Sequence, residues 1–486
     1  MKGVETHNGG LAATPPEHEL GAFQRRLVEA TDGGARVVAY YGEGTAPEVA
    51  LTAVLADDKR GRLEILRARV EAGSMPSLTP DLTEVHLFER DIHERNGVEP
   101  VGHPWLKPVR FTRPSDTIGV TDYYRVEGEA VHEVGVGPVH AGIIEPGHFR
   151  FQCHGETVFH LEISLGYQHR GVEAALLRGP AKRAIHLIET AAGDTTIGHT
   201  LAYCEAIEGL TGARVPARGQ ALRAVALELE RLANHVGDLG ALSGDVAFLP
   251  TASYCGRIRG DLLNLTAALC GNRFGRSFVV PGGVAFDIAD AADLLRRIDV
   301  IERDSTGAVD LLWDTPAVRS RFEETGVVAT AMAQELGLVG VAARASGVAL
   351  DVRNDHPAGM YRLAHIPASV STSGDVYARA SVRWLECVRS FAFVREQLAS
   401  LPEGACRVPV GPVARSSLVV AMTEGWRGEV AHVVRTDATG AIASYRIIDP
   451  SFHNWNGLAM ALRGEAISDF PLCNKSFNLS YCGYDL

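Results

Sequence analysis

The chain has 486 residues, of which 46% are hydrophobic, and carries a formal net charge of −12 at pH 7. That length exceeds one small domain and suggests two or three, while the negative balance argues against a nucleic-acid partner. No apolar run approaches the roughly 20 residues that cross a bilayer, and the first residues lack the basic-then-apolar order of a secretory signal, so a cytoplasmic protein is expected.

Residues 1–19 read as a short flexible lead. Residues 20–115 read as an α+β domain. The runs Ala35–Tyr41, Val49–Ala56 and Leu63–Val70 are β-rich and separated by Gly and charged turns. Leu82, Val85, Phe88 and Ile92 then recur at helical spacing, and Gly97 is placed to stop that helix. Its charges, Glu89 to Arg95, read as a solvated surface. The stretch Pro104–Asp122, punctuated by Pro108 and Pro114, reads as a linker, and residues 123–486 as a second, mostly helical domain with small sheets near its start and end.

That second domain opens on an information-dense stretch, Gly135 to Glu173. A Gly/Pro loop carries His140. Phe149 and Phe151, then Phe159, Leu161 and Ile163, alternate around a His154-Gly155-Glu156 turn, as two short antiparallel strands would. His169, Arg170 and Glu173 follow at a strand-to-helix junction. Polar groups at element ends are where sites usually lie.

The string GPVH…EPGHFRF…GYQHRGVE resembles the large subunit of energy-converting, formate-hydrogenlyase-type nickel–iron hydrogenases. It is also similar to the quinone-site subunit of respiratory complex I, and the resemblance runs almost to Leu486. The earlier segment Glu89–Glu94 with Gly97–Pro104 is similar to complex I's small peripheral-arm subunit, which is fused in front of the large subunit in formate-hydrogenlyase-type enzymes. That implies a docking and assembly role for the N-terminal domain. Arg95 and Asn96 stand where members of that family tend to have apolar residues.

The resemblance also locates what is missing. Hydrogenases carry a C-x-x-C pair just before a histidine that matches His199; here the pair positions are Ala192 and Thr195. Their second thiolate pair falls near the chain's end, and here those positions are Ser480 and Gly483, with Cys482 displaced by one residue. A methyl group cannot donate to a metal, and a hydroxyl is a poor replacement for a soft thiolate. The eight cysteines of the chain form no C-x-x-C pair either. The expectation is therefore no metal held by this chain and no nickel–iron centre.

A helix over about Ala221–Leu242 carries an apolar stripe from Leu222 to Leu239. A second line, Glu228, Arg231, His235 and Asp238, follows the same spacing, either as a buried polar ladder or as a solvated flank. The resemblance favours the ladder. It implies that His235 lies near the iron–sulfur cluster of a partner, and that Asp238 pairs with His140 and orients it as a proton donor. It further implies that Glu173 relays protons, and that His169, Arg170, Arg231, His235 and His199 surround an acceptor cavity and the cluster side. The cavity is expected to be lined by His140, Asp238 and the loop Gly193–His199, with a quinone-like acceptor inside. Complex I holds its quinone with a tyrosine whose position matches Gly193 here.

The Gly-rich turn around Gly282 reads as a close approach of backbones and is similar to the family's turn, while the turns at Arg344–Gly347, Asp351–Pro357 and Gly374–Arg379 also match the family and read either as surface charges or as functional or interdomain pairing sites. β-rich runs are expected at Ser417–Val420, Glu429–Arg435 and Ala441–Ile448, then a helix at Leu458–Leu462. The implied partners are a small iron–sulfur subunit and ion-translocating membrane subunits, with this chain peripheral on the cytoplasmic face. Two other readings are a hydrogenase with unusual nickel ligands and a non-catalytic coupling subunit.

Overall fold

The computed structural model describes residues 3–140, 144–179 and 181–486. Part of the loop after His140, residues 141–143, therefore lies outside the described residues. The class is α+β, as expected. The three β-rich runs form the antiparallel strands Arg36–Thr45, Glu48–Asp57 and Arg62–Val70. Helix Leu20–Asp32 packs on this sheet through Phe23 and Leu27. The apolar core is continuous with the C-terminal region, from Phe23 and Leu66 to Trp455 and Phe477.

The lead is ordered, contrary to expectation. Val4–Thr6 pairs antiparallel with Arg62–Val70, and Glu17–His18 runs parallel to it. Leu11–Ala13 instead joins the C-terminal sheet, pairing with Ser417–Glu424. Between them Asn8 is buried; its amide donates to the carbonyls of His356 and Met422 at 2.8 Å each and accepts from the Met422 N–H at 2.7 Å. Strands of two or three residues carry too little periodicity to be read locally; distant partner strands create them.

Helix His86–Asn96 ends at Gly97, whose φ of +74° suits a residue without a side chain. Its charged residues are not a surface. Glu89, Asp91, Glu94 and Asn96 are buried. Glu94 accepts the backbone N–H groups of Val109 and Arg110 at 2.7 and 2.9 Å, so this helix pins the start of the linker. Asp91 binds Arg110, whose guanidinium also donates to the Tyr484 carbonyl at 2.9 Å. Buried carboxylates are tolerable here because each finds donors, and those donors come from segments that the helix's own sequence does not announce.

The hairpin His148–His154 with Thr157–Ser164 forms as expected, and an unanticipated third strand, Val131–Val136, completes its sheet. Helix Ala217–Asp245 is central to the second domain and packs against Leu249–Cys270 and Val376–Ala399. Near the end, Ser417–Glu424, Glu429–Thr436 and Ile442–Ile448 make an antiparallel sheet. The next helix spans Pro450–Ala461, beginning well before the expected Leu458. Asp449 caps it by accepting the Ser451 N–H at 2.8 Å, and Pro450 sits at the first helical position, where its missing N–H costs nothing. Among the described residues no helix is long and apolar enough to cross a membrane.

Candidate functional site

The two segments at which the resemblance places cysteine pairs meet in space. Arg427 joins them: its guanidinium donates to both Asp194 oxygens at 2.6 and 2.7 Å and to the Asn478 carbonyl at 2.5 Å. Ala192 is fully buried, and the Thr195 hydroxyl lies 3.3 Å from Asp194 Oδ1. Ser480 accepts the Gly483 N–H at 2.9 Å and so caps the terminal turn Tyr481–Tyr484. Burial pushes the Cys482 thiol up to about 12, so it is protonated at neutral pH rather than a thiolate.

A side chain at position 483 would meet Asp449. A Cβ there would lie 2.6 Å from Asp449 Cγ. Asp449 is itself engaged: its Oδ2 is 3.0 Å from His199 Nε2, His199 Nδ1 is 3.2 Å from His432 Nε2, and His432 Nδ1 is 2.8 Å from the Tyr445 hydroxyl. All four groups are buried. One set of tautomers satisfies the whole row, with Tyr445 donating to His432, His432 to His199, and His199 to the carboxylate. Burial drives the His432 pKa well below the ordinary imidazole range, so that ring is held neutral. Gly483→Cys is accordingly expected to force Asp449 off His199 and to destabilise the chain by roughly 1–3 kcal/mol. Urea denaturation of variant and parent measures this; a cysteine accepted without loss would mean that the carboxylate is not anchored.

The line Glu228, Arg231, His235 and Asp238 is a buried ladder. Arg231 donates to Glu228 at 3.0 Å and to the carbonyls of Glu424 and Gly425 at 2.6 and 2.9 Å. His235 Nε2 lies 2.7 Å from Glu386, and the His235 ring is fully covered, edge-on to Trp426. Arg231 and His235 are both fully buried within this chain and turn inward to the ladder. Burial pulls the His235 pKa down against the attraction of Glu386. Burial alone would raise Glu386, yet Arg344 and His235 hold it well below the usual carboxylate range. Arg344, Asp351, Arg353 and Glu424 extend the same ionic network, as the turn motifs suggested.

Asp238 does not pair with His140. It receives Arg383 Nε at 2.8 Å and the Asn478 amide at 2.6 Å. His140 Nε2 lies 2.9 Å from the Gly147 carbonyl, and its ring packs near Phe149. His140 does line a cavity, of about 430 Å³, between the hairpin sheet and helix Phe470–Phe477, with Phe149, Phe151, Phe470, Asn474 and Tyr481 in its wall. Asn478 also lines it, so Asp238 stands one side chain behind the wall. The loop Gly193–His199 is not part of it, and His199 serves the Asp449 row instead.

The remaining expected residues hold the scaffold. His169 Nδ1 is 2.9 Å from the Asp485 carbonyl, and Arg170 donates to the carbonyls of Thr190 and Ala191 at 2.7 and 2.8 Å, bracing the first lost-ligand loop from behind. Glu173 lies between Arg95 at 2.5 Å and Arg446 at 2.8 Å and accepts the Ile447 N–H at 2.9 Å. Burial alone would raise its pKa, but Arg446 and Arg95 bring it down to about 2. A carboxyl so held stays ionised at neutral pH and acts as a clamp, not as the relay expected of it. Sequence reasoning missed Asp449, His432, Tyr445, Asn478 and Tyr481. The Asp449-Pro450 helix start was a usable signal for the first; the others gave none, because their partners are remote.

Comparison with known proteins gives one family model, described as "Respiratory-chain NADH dehydrogenase, 49 Kd subunit", matching residues 245–417. The chain is 31% identical to the "Carbon monoxide-induced hydrogenase" of Rhodospirillum rubrum, over 72% of this chain and 98% of that protein. It is 28% identical to "Formate hydrogenlyase subunit 5" of Escherichia coli, over 86% of this chain and 78% of the relative. It is also 28% identical to "NADH-quinone oxidoreductase subunit 4" of Thermus thermophilus, over 70% of this chain and 90% of the relative.

Proposed function

Because the chain belongs to the family of energy-converting hydrogenase large subunits and their NADH-quinone oxidoreductase counterparts, we propose that it is the large subunit of an oxidoreductase complex that works without a nickel–iron centre. In this reading a partner iron–sulfur subunit supplies electrons, a quinone-like molecule accepts them, and ion-translocating membrane subunits use the energy, with this chain peripheral on the cytoplasmic face.

The observation that carries the metal-free half is Asp449. Its carboxylate occupies the room of a side chain at position 483, while positions 192, 195 and 480 offer a methyl group and two hydroxyls. That donor set does not suit nickel, which the family's thiolates bind. The acceptor half rests on the cavity beside His140. Its volume falls in the range of small-molecule sites, and it combines aromatic walls with polar side chains, among them Asp245, Asn474, Lys475 and Asn478. Reducing a quinone to a quinol takes two electrons and two protons. His140 is the titratable side chain in this wall suited to passing a proton to the reduced oxygen.

The test is metal analysis together with quinone-reductase assay of the complex purified from its host. The expected result is iron from the partner, no stoichiometric nickel, and quinone-dependent turnover that His140→Ala lowers while the complex stays assembled. Stoichiometric nickel overturns the reading. The inward pairing of Arg231, His235 and Asp238 favours one alternative, a subunit that transmits conformational change without touching an acceptor; unchanged turnover in His140→Ala would select it.

A further inference from the structure

A second cavity, of about 580 Å³, shares no lining residue with the one beside His140. Helix His86–Asn96, Trp105 of the linker, Tyr124 just after it, strand Thr157–Ser164 and helix Pro450–Ala461 enclose it. Arg90 lies in its wall. Its Nε donates to the Lys107 carbonyl and one Nη to the Pro108 carbonyl, at 2.8 Å each. The other Nη makes no hydrogen bond among the described residues and is open to the cavity. Burial lowers the pKa of this guanidinium, as expected where no carboxylate is close enough to offset it. His86 lies one helical turn before Arg90, on the same face. The Asn456 amide donates to His86 Nε2, which places the ring proton on Nδ1. That N–H is also without a partner among the described residues and open to the cavity. Arg463 stands exposed at the rim. Among the lining residues the one carboxylate is Glu162, and it is engaged, by Lys107 at 2.6 Å and by the Tyr124 N–H at 2.7 Å. Two free donors and two cations thus face a space that holds no counter-charge.

We propose that this cavity binds an oxyanion carried on a planar ring, its phosphate or carboxylate oxygens received by Arg90 and His86 and its ring lying against Tyr124 and Phe159. The inference does not depend on the quinone reading. A buried guanidinium without a counter-ion is costly, and an arriving oxyanion offsets that cost with charge-assisted hydrogen bonds. The ring half of the ligand follows from the rest of the wall. Tyr124 and Phe159 are each 45% exposed there. Trp105 and His160 flank Tyr124, at 5.6 and 4.8 Å between centroids. Lys107 Nζ already covers one face of Trp105, at 4.0 Å from its centroid, so Tyr124 and Phe159 are the aromatic surfaces left for a ligand. A bare inorganic anion leaves that surface wet, and an uncharged ring leaves Arg90 uncompensated. Burial, with Arg90 adding to it, pushes His86 down to about 3, so its ring is a neutral donor at pH 7. His103 supports the arrangement from behind: its Nδ1 accepts the Trp105 N–H at 3.0 Å, and its Nε2 lies 3.2 Å from the His86 carbonyl. The volume is that of a small-molecule site.

The test is equilibrium dialysis of the intact complex against two probes, AMP for a phosphate on a planar base and 2-naphthoate for a carboxylate on a planar ring. Adenosine and inorganic phosphate serve as the two halves alone. At least one probe is expected to saturate below about 1 mM and to bind about tenfold or more tightly than either half. The tighter probe tells phosphate from carboxylate. Arg90→Gln is expected to raise its Kd about tenfold, the loss of a charge-assisted hydrogen bond. Arg90 also holds two linker carbonyls, so Arg463→Ala is the second variant. Its exposed side chain makes no hydrogen bond among the described residues, and its loss is expected to raise Kd about threefold with the unfolding midpoint unchanged. Failure of both probes to saturate overturns the proposal. So does a half that binds as tightly as the whole, or a Kd that neither variant changes, since the ligand would then lie elsewhere in the complex.

Discussion

Glu386→Ala is expected to destabilise the chain by roughly 3–5 kcal/mol, the cost of leaving buried charges uncompensated. Glu386 is fully buried and faces Arg344 at 2.7 Å, His235 at 2.7 Å and Arg231 at 3.7 Å. Alanine removes the one carboxylate shared by all three and opens a cavity beside them. Arg344 keeps Glu424 at 2.7 Å, which limits the damage without repairing it. The exposed helix pair Arg319–Glu323 at 2.8 Å is the contrast: solvent screens it, and its removal is expected to cost under about 0.5 kcal/mol. Urea denaturation followed by tryptophan emission reports the difference, since the Trp426 ring lies 6.2 Å from His235. A loss no larger for Glu386 than for Glu323 would show that the ladder is hydrated and not the sealed network described above.

Glu173→Gln is expected to cost about 3 kcal/mol at neutral pH and to flatten the acid limb of the stability curve. An ordinary glutamate carboxyl has a pKa near 4.5, and the Arg446 and Arg95 guanidinium groups bring this one down to about 2 in the fold. A folded pKa below the unfolded one means that the stabilisation is complete above about 4.5 and drains away as pH falls toward 2. A shift of that size corresponds to about 3 kcal/mol. Asp91 also reaches Arg95, at 2.8 Å, and retains part of the clamp in the variant. Stability measured from pH 7 to pH 2 should fall steeply in the parent below pH 4.5 and less steeply in the glutamine variant. Should the variant keep its stability and lose proton-coupled turnover instead, Glu173 relays protons after all and the clamp assignment fails.

Both variants act on contacts that unite distant parts of the chain, and that is where sequence and fold part company. Local patterns were enough for the three N-terminal strands, for the stop at Gly97, for the hairpin over residues 148–164 and for the long helix, while the burial of that helix's polar line was expected only from the resemblance. Each of these is written in the spacing of neighbouring residues, in caps or in turn glycines, so it survives without knowledge of what packs against it. The identities Ala192, Thr195, Ser480 and Gly483 were equally plain, because chemistry at a position needs no coordinates.

What no local pattern could hold was the partner of each polar group. His140 and Asp238 could be aligned to a paired couple, but Arg383 and Asn478 claim the aspartate and Gly147 claims the histidine. The helix His86–Asn96 looked solvated until the linker and the chain's last residues were folded over it. Asp449 filling the room beside Gly483, and the aromatic wall of the cavity beside His140, depend on segments brought together only in the folded chain. The chain by itself thus determined the elements, the family resemblance and the absence of thiolates at the ligand positions. Only tertiary structure decided which charges are buried, what they hold and where an acceptor could lie, because burial and pairing are properties of surfaces in contact and not of residues in a row.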